Sequence, residues 1–399
     1  MKFFDKSFKQ QNPISELAIQ AAVEVMQSGR LHRYNRLNDE LTETDLLELD
    51  FANFTGVKNV LACASCGYAL SIALLAIGVK KGDDVLCNAY TLSPVPGAID
   101  HSGGNAILVD MDESFCIDLE DLDKKAKQTK AKYLLLSHMR GHIVDMAQLM
   151  TIAEDNNLLV IEDCAHTMGA EWDGQPSGTF ADVACFSTQT YKHINSGEGG
   201  LLITPHDQIM AKAIIYSGSY KYYNEHKAGP DLSAFDGLYE TIPNYSGRMD
   251  NLRAAILRPQ LANLNEQRHA WNLKYFIIEE ALRANSLVTI PKRSSKELFV
   301  GSSIQFSLPS FDESKMRDIV QACEQRGVML TWYGNAQPKG YASQFLHWKY
   351  LTKPQVLPKT QSILSTLLDM RIPPTFTTDD VQLISEIILE VINGVSDVQ

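Results

Sequence analysis

The chain has 399 residues, 45% of them hydrophobic and 21% charged, with 36 Lys and Arg against 48 Asp and Glu and a formal charge of -12. At roughly 150 residues per domain this length accommodates about two to three domains and a core that needs neither disulfides nor metals. The acidic balance argues against a nucleic-acid binder, and the absence of a long apolar run or an apolar leader core argues against a membrane span or secretion, so a cytosolic globular protein is expected.

From about residue 45 helical and strand-like periods alternate, which leaves 1–45 as an N-terminal segment. Leu47, Phe51 and Phe54 share one helical face that Gly56 ends. Short apolar runs follow at Asn59–Cys63, Asp84–Asn88, Ala106–Asp110, Tyr133–Ser137, Leu158–Glu162, Val183–Ser187 and Leu201–Thr204. Helical patterns at Tyr68–Ile77, Leu119–Ala126 and Met146–Asn156 separate several of them. Near-continuous apolar strands alternating with helices predict an α/β fold with a large, mostly parallel seven-stranded sheet covered on both faces. This large domain is expected over 46–247.

Its last part, Ser217–Gly247, is rich in Gly, Ser, Tyr, Asn and charge and lacks a sustained apolar period. A loop of that length in a compact chain is usually functional. A smaller C-terminal α/β domain is expected over 248–399. Asp250 is placed to cap a helix through Leu252, Ala255 and Ile256, which Pro259 should kink or interrupt before a second pattern resumes through Leu273, Ile277 and Leu282. A strand at Ile304–Leu308, a helix at Ser314–Arg326, a strand at Val328–Thr331 and a final amphipathic helix from Thr377 complete the plan.

Seven cysteines make an odd number, and most lie in apolar stretches where Cys acts as a small hydrophobe. Cys63-Ala-Ser-Cys66 has redox or half-zinc spacing but no second ligand pair, so no metal is expected. His138 and His142 flank Gly141 directly after a strand and read as a loop.

Four features fall at the carboxyl ends of the expected strands, where ligands of open α/β sheets bind. Ser65, Cys66 and Gly67 form a small-residue turn opening a helix, suited to an anion or simply tight. Asp163 ends a buried strand, as a helix cap or as the partner of a buried cation such as a protonated pyridine. Lys192 follows a hydroxyl-rich turn, as a solvated side chain or as a desolvated amine ready to form a Schiff base. Gly197-Glu198-Gly199-Gly200 is a tight turn into the next strand.

Together these residues, EDCAH at 162–166 and FSTQTYKHINSGEGG at 186–200, resemble the DegT/DnrJ/StrS family of pyridoxal-phosphate (PLP) sugar aminotransferases. Further likeness runs from Leu47 to Asp112 and through Arg248–Ile256. The resemblance implies an aspartate aminotransferase-like, fold type I architecture. It implies that Lys192 carries the cofactor covalently and shuttles the proton, that Asp163 keeps the pyridine nitrogen protonated, and that His166 contacts the 3-oxygen in place of a family glutamine. It further implies that Ser187, Ser65, Cys66 and Gly67 hold the phosphate.

Three departures from the family pattern stand out. Cys66-Gly67 replaces Gly-Thr and removes a hydroxyl, Leu92 replaces the ring-stacking aromatic, and Ser246 replaces the asparagine that reaches the partner subunit's phosphate. His193 follows the lysine without replacing it, which favours transamination over dehydration. The resemblance implies an amino-acid donor such as L-glutamate, a keto or aldehyde sugar acceptor, and a homodimer with shared sites completed by 217–247. A PLP-binding regulator of low turnover and a PLP-dependent sugar dehydratase are the alternatives. Ser28–Asn35 and Thr331–Tyr333 resemble the branch aminating an eight-carbon keto-deoxy sugar acid (8-amino-3,8-dideoxy-octulosonate formation). Arg33, Tyr34, Arg248, Trp332, Tyr333 and Lys339 are the substrate candidates, each with an ordinary structural reading beside it.

Overall fold

The computed structural model describes residues 2–338, 344–351, 353 and 355–397. Helices α1 (Glu16–Ser28) and α2 (Glu43–Thr55) precede a seven-stranded sheet. Its strands are β1 (Asn59–Cys63), β2 (Asp84–Asn88), β3 (Asn105–Val109), β4 (Tyr133–Ser137), β5 (Leu159–Asp163), β6 (Val183–Ser187) and β7 (Gly200–Thr204). They lie in the order β1-β7-β6-β5-β4-β2-β3, and only β7 runs antiparallel to its neighbours. All seven expected strands are present with ends shifted by at most a residue.

Alternation within the apolar runs explains the two covered faces. Leu134, Leu136 and Val160 enter one core, which continues into the C-terminal half of the chain. Leu135, Ile161, Val183 and Cys185 point the other way, against α3 (Cys66–Ile77) and α7 (Asp207–Tyr216). Three more helices, α4 (Pro94–His101), α5 (Leu119–Gln128) and α6 (Met146–Asp155), serve the parallel crossovers. In α2, Leu47 and Phe51 are fully buried against β1, β6 and β7, each worth roughly 1.5–3 kcal/mol of transfer free energy.

Sheet register aligns the chemistry. Gly200 is opposite both Cys63 and Ser187, Asp163 is opposite Cys185, and Ser137 is opposite Asp163. The carboxyl ends of β1, β6, β5 and β4 therefore form one row, with the first residue of β7 in its middle. Gly200 must be glycine there: a Cβ would lie 2.5 Å from the Cys66 amide nitrogen and 2.6 Å from the Ser65 carbonyl carbon.

After Gly247 come α8 (Asn251–Ala262) and α9 (Leu264–Arg283), then a three-stranded antiparallel sheet. It contains β8 (Ser303–Ser307), β9 (Thr331–Trp332) and β10 (Leu367–Arg371), with β10 central, and helices α10 (Glu313–Gln325), α11 (Pro358–Leu364) and α12 (Thr378–Asp397). Thr377 and Asp380 cap α12 reciprocally.

Two expectations are corrected here. Pro259 lies inside α8, and the helix breaks only at Asn263, because a proline costs one backbone donor and the packed faces around it carry the helix on. The strand expected at Val328–Thr331 pairs only at Thr331–Trp332. Val328 is still bound to the preceding helix, its N–H donating to the Cys323 carbonyl in the turn that closes α10.

The segment Ser217–Gly247 holds only short helical turns, at Tyr223–Glu225, Leu232–Phe235 and Leu238–Thr241. It is pinned to its own chain where the Val60 N–H donates to the Ala228 carbonyl and where Phe235 is buried. Tyr220, Leu232, Tyr239 and Tyr245 remain exposed along it. Among the described residues no helix is long and apolar enough to cross a membrane.

Gly200→Ala should destabilise the fold by about 1–3 kcal/mol, the usual cost of overpacking a close contact. Urea denaturation measures it; an unchanged midpoint would show that the row relaxes freely.

Candidate active site

Asp163 ends β5 with a buried carboxylate that has two neutral partners. Oδ2 accepts the Ser137 hydroxyl at 2.8 Å and Oδ1 accepts the Ala165 N–H at 3.1 Å. Ser137 is itself fixed by the Thr91 hydroxyl at 2.8 Å and by Asn88, whose side chain pairs with the Ser137 backbone. Burial raises the Asp163 pKa against these donors and against the charge of Lys192, which makes no hydrogen bond to it.

Lys192 lies in the loop between β6 and β7, its Nζ 2.7 Å from His166 Nε2. Burial, reinforced by Arg140, pulls the amine down to about 8. His166 is held well below the usual histidine range by burial and by Lys192, so the imidazole is neutral. A neutral ring against a readily deprotonated amine is a nucleophile in waiting. His193, next in sequence, is turned away: it bonds the Met168 carbonyl and Ser302.

Ser65 caps α3, its hydroxyl accepting the Tyr68 N–H at 3.1 Å. The amides of Cys66 and Gly67 meet no acceptor among the described residues, which leaves two donors at a helix N-terminus. Ser187 is buried at the end of β6, with its hydroxyl oxygen accepting the Gln189 N–H. Residues 247–249 run antiparallel beside this turn, the Ala64 N–H donating to the Gly247 carbonyl at 2.7 Å. Ser246, in left-handed backbone at φ 55°, is exposed and accepts from Arg248, which also donates to the Gly218 carbonyl. Leu92 packs with Tyr90 and Tyr333.

Several candidates belong to the framework instead. Arg33 is 1% exposed and pairs with buried Glu48 at 2.8 Å, and the same Nη2 lies 3.1 Å from His226. Tyr34 is buried and donates to Ser219 at 2.6 Å. Trp332 is buried with its indole N–H on the Ser365 carbonyl. The polar contacts of these three join the N-terminal segment to α2 and the 217–247 loop, and β9 to the turn after α11, with only Arg33 Nε of the Arg33 donors buried and unpartnered among the described residues. Lys339 lies outside the described residues.

All seven cysteines are free and buried, and Cys63 and Cys66 have thiols raised by burial. His138, Glu162 and Cys164 bring three possible metal donors within 4.8 Å of one another. The Glu162 carboxylate there accepts the N–H groups of Gly178, Phe180 and Ala181 and contacts His138 at 2.9 Å, so it is already satisfied as a structural anchor.

Arg140, three residues beyond Ser137, was not among the candidates legible in the sequence. It adopts left-handed backbone at φ 56° and ψ 22°, and its Nη2 pairs with Asp369 of β10 at 2.7 Å and donates to the Tyr333 hydroxyl at 3.3 Å. A cation just past the end of a central strand was the available signal. Its partner, 229 positions later, was invisible to local patterns.

With this geometry in place, comparison with known proteins is specific. A model of the DegT/DnrJ/EryC1/StrS aminotransferase family matches residues 12–389. The chain belongs to that family. GDP-perosamine synthase of Escherichia coli O157:H7 is 32% identical over 220 residues, 55% of this chain and 57% of that protein. The match thus spans little more than half of that relative's length. The pleiotropic regulatory protein of Geobacillus stearothermophilus is 31% identical over 275 residues, 67% of this chain and 69% of that one. Among solved structures, the aminotransferase from Psychrobacter cryohalolentis superposes with a TM-score of 0.82 at 21% identity, covering 99% of this chain and 100% of that one. The architecture is accordingly aspartate aminotransferase-like, fold type I.

Arg33→Met should cost about 3–5 kcal/mol, because it strands the Glu48 charge in the core. A change confined to substrate KM at unchanged stability would return Arg33 to the substrate. In the cofactor-free protein, Lys192 labelling by an aldehyde followed by borohydride should rise through pH 8. Below that pH the amine is protonated and unreactive. A midpoint near 10.5, the ordinary lysine value, would contradict the desolvated site.

Proposed function

We propose that the chain is a PLP-dependent aminotransferase, moving an amino group from an amino-acid donor, L-glutamate, to a keto or aldehyde carbon of a sugar or nucleotide-sugar. The observation that carries this reading is the Lys192–His166 contact in one site with an Asp163 carboxylate that makes no ion pair among the described residues. The residues fit the cofactor group by group: an amine for its aldehyde, a buried carboxylate for its pyridine nitrogen, and two unpaired amides at a helix N-terminus for its phosphate. When bound, PLP supplies an electron sink that stabilises negative charge on the substrate carbon next to nitrogen.

The protein's own part is to hold and move protons. Asp163, fixed by the Ser137 hydroxyl, would hold the cofactor's ring nitrogen protonated. Lys192, with its low pKa, takes a proton from the substrate carbon and returns it on the other side of the exchange. His166, neutral, orients the amine and accepts or donates one hydrogen bond. The likeness to GDP-perosamine synthase supports a sugar-type acceptor.

The active site is shared between two copies in this reading. Exposed Ser246 and the exposed tyrosines of 217–247 are free to meet a neighbour. A reducing cytoplasm suits seven unpaired cysteines. A second reading, a PLP-binding regulator, draws support from the Geobacillus relative and from the missing hydroxyl at Cys66-Gly67.

Lys192→Ala should abolish the absorbance of covalently bound cofactor and reduce turnover at least about 1,000-fold, as expected for loss of both the attachment point and the acid/base group. Incubation of the wild type with 15N-glutamate and a panel of keto-sugars, read by product mass, should transfer the label. Cofactor bleaching without a labelled product would favour the regulator, and loss of water without label would favour dehydration.

A further inference from the structure

We propose that Arg140 reads the substrate carboxylate adjacent to the reacting carbon, held for that task by Asp369 and Tyr333. This rests on the aminotransferase reading and goes beyond it, since it assigns donor recognition to a residue outside the cofactor contacts.

The backbone at Arg140 is unusual for a long side chain. Left-handed φ and ψ at a residue other than glycine cost about 1–3 kcal/mol and persist where the surroundings impose them. Gly141 follows at φ 80°, and a Cβ there would stand 3.1 Å from the His166 carbonyl oxygen, so this turn is packed directly against the residue that touches Lys192. The turn is also tied from outside, where Arg293 donates to the Gly141 carbonyl at 3.0 Å.

The guanidinium is clamped at one end only. Nη2 takes Asp369 and Tyr333, and Asp369 cannot swing away because its other oxygen accepts Gln305 Nε2 at 2.7 Å, with Gln305 in turn bound to His142 at 2.8 Å. Nε is buried without a partner, and Nη1 meets none among the described residues. The nearby Tyr90 hydroxyl is buried edge-on to Tyr333 without a well-formed hydrogen bond. Nε is closed off, so Nη1 is the open donor, on a side chain that is 20% exposed and whose turn packs against His166, the residue that touches Lys192. A donor without an acceptor is costly once a ligand covers it. Guanidinium geometry matches a carboxylate.

The charges facing Arg140 favour the same ligand. Lys192 and half-buried Arg371 are the other cations, Asp369 is the anion paired with Arg140, Asp163 acts on Lys192, and His166 is neutral. With Asp163 committed to a bound cofactor and Asp369 to Nη2, the remaining positive charge calls for an anion. In an amino acid the carboxylate one bond from the reacting carbon is the anion bound to arrive beside Lys192.

The test compares three donors on the cofactor-loaded enzyme, following single-turnover bleaching. L-glutamate has both carboxylates, L-glutamine lacks the side-chain one, and L-isoglutamine lacks the one next to the reacting carbon. Wild type should favour glutamate over isoglutamine about 10- to 100-fold, the range of one charge-assisted hydrogen bond. Arg140→Gln should bring that ratio near one, over and above any slowing common to both donors through the Lys192 amine, and Arg140→Lys should restore part of it. If Arg140→Gln keeps the wild-type ratio, the proposal is wrong. If wild type bleaches with no donor, the aminotransferase reading itself has failed. Should the variants not fold, phenylglyoxal labelling of Arg140 in wild type serves instead, read by peptide mass. Glutarate should protect and glutaramide should not; equal protection by both overturns the assignment.

Discussion

Asp163 and Lys192 are held in one site, largely out of water, and neither is the other's hydrogen-bond partner. Each leans on a neutral group instead, the Ser137 hydroxyl at 2.8 Å and the His166 ring at 2.7 Å. Burial then pushes both pKa values toward the uncharged forms, up for the acid and down for the amine. Such an arrangement is expensive in an empty fold and is sustained by the rigid row of strand ends that fixes the spacing. Glycines at two contacts, Gly200 and Gly141, let the β7 start pack on the Cys66 turn and the Arg140 turn pack on His166.

What was legible in the sequence was whatever depends on near neighbours. The seven strands emerge from apolar runs because both sheet faces are covered, and Lys192, Asp163 and the Cys66 turn emerge because each sits at a strand end. The helix cap at Asp250 was equally local. What stayed hidden depends on pairs far apart in the chain. Arg33 looks like a free cation until Glu48 and His226 close around it. Arg140 looks like a loop residue until Asp369 arrives from the small sheet. A buried arginine is read correctly only when its counter-charge is known, and in both cases that counter-charge belongs to another element.

The departures from the family pattern become physical statements in this setting. Exchanging a hydroxyl for glycine beside Cys66 removes one phosphate donor but leaves the two backbone amides, which depend on helix geometry and not on side-chain identity. Leu92 offers no aromatic face, yet it packs in the same cluster as Tyr90 and Tyr333, and the Tyr333 hydroxyl accepts from Arg140. Ser246 keeps a left-handed backbone that asparagine tolerates better, and the cost is offset by its bond to Arg248. Contacts are redistributed around an unchanged lysine and aspartate.

The net charge of -12 gives the lysine shift its significance. The long-range field of an acidic protein favours a protonated amine, so the fall to about 8 is achieved against it, by burial and by the single fixed cation of Arg140. At neutral pH the deprotonated fraction is then limited by about a factor of ten, where an ordinary lysine would be limited by about three-thousandfold. Asp369 makes this possible without filling the site with unbalanced charge, since it pairs with Nη2 of Arg140 while leaving Nη1 unpaired among the described residues. The same cation that keeps the amine reactive is thus the one placed to recognise an incoming carboxylate, and arrival of that carboxylate would raise the amine's proton affinity as the substrate carbon is ready to give up its proton.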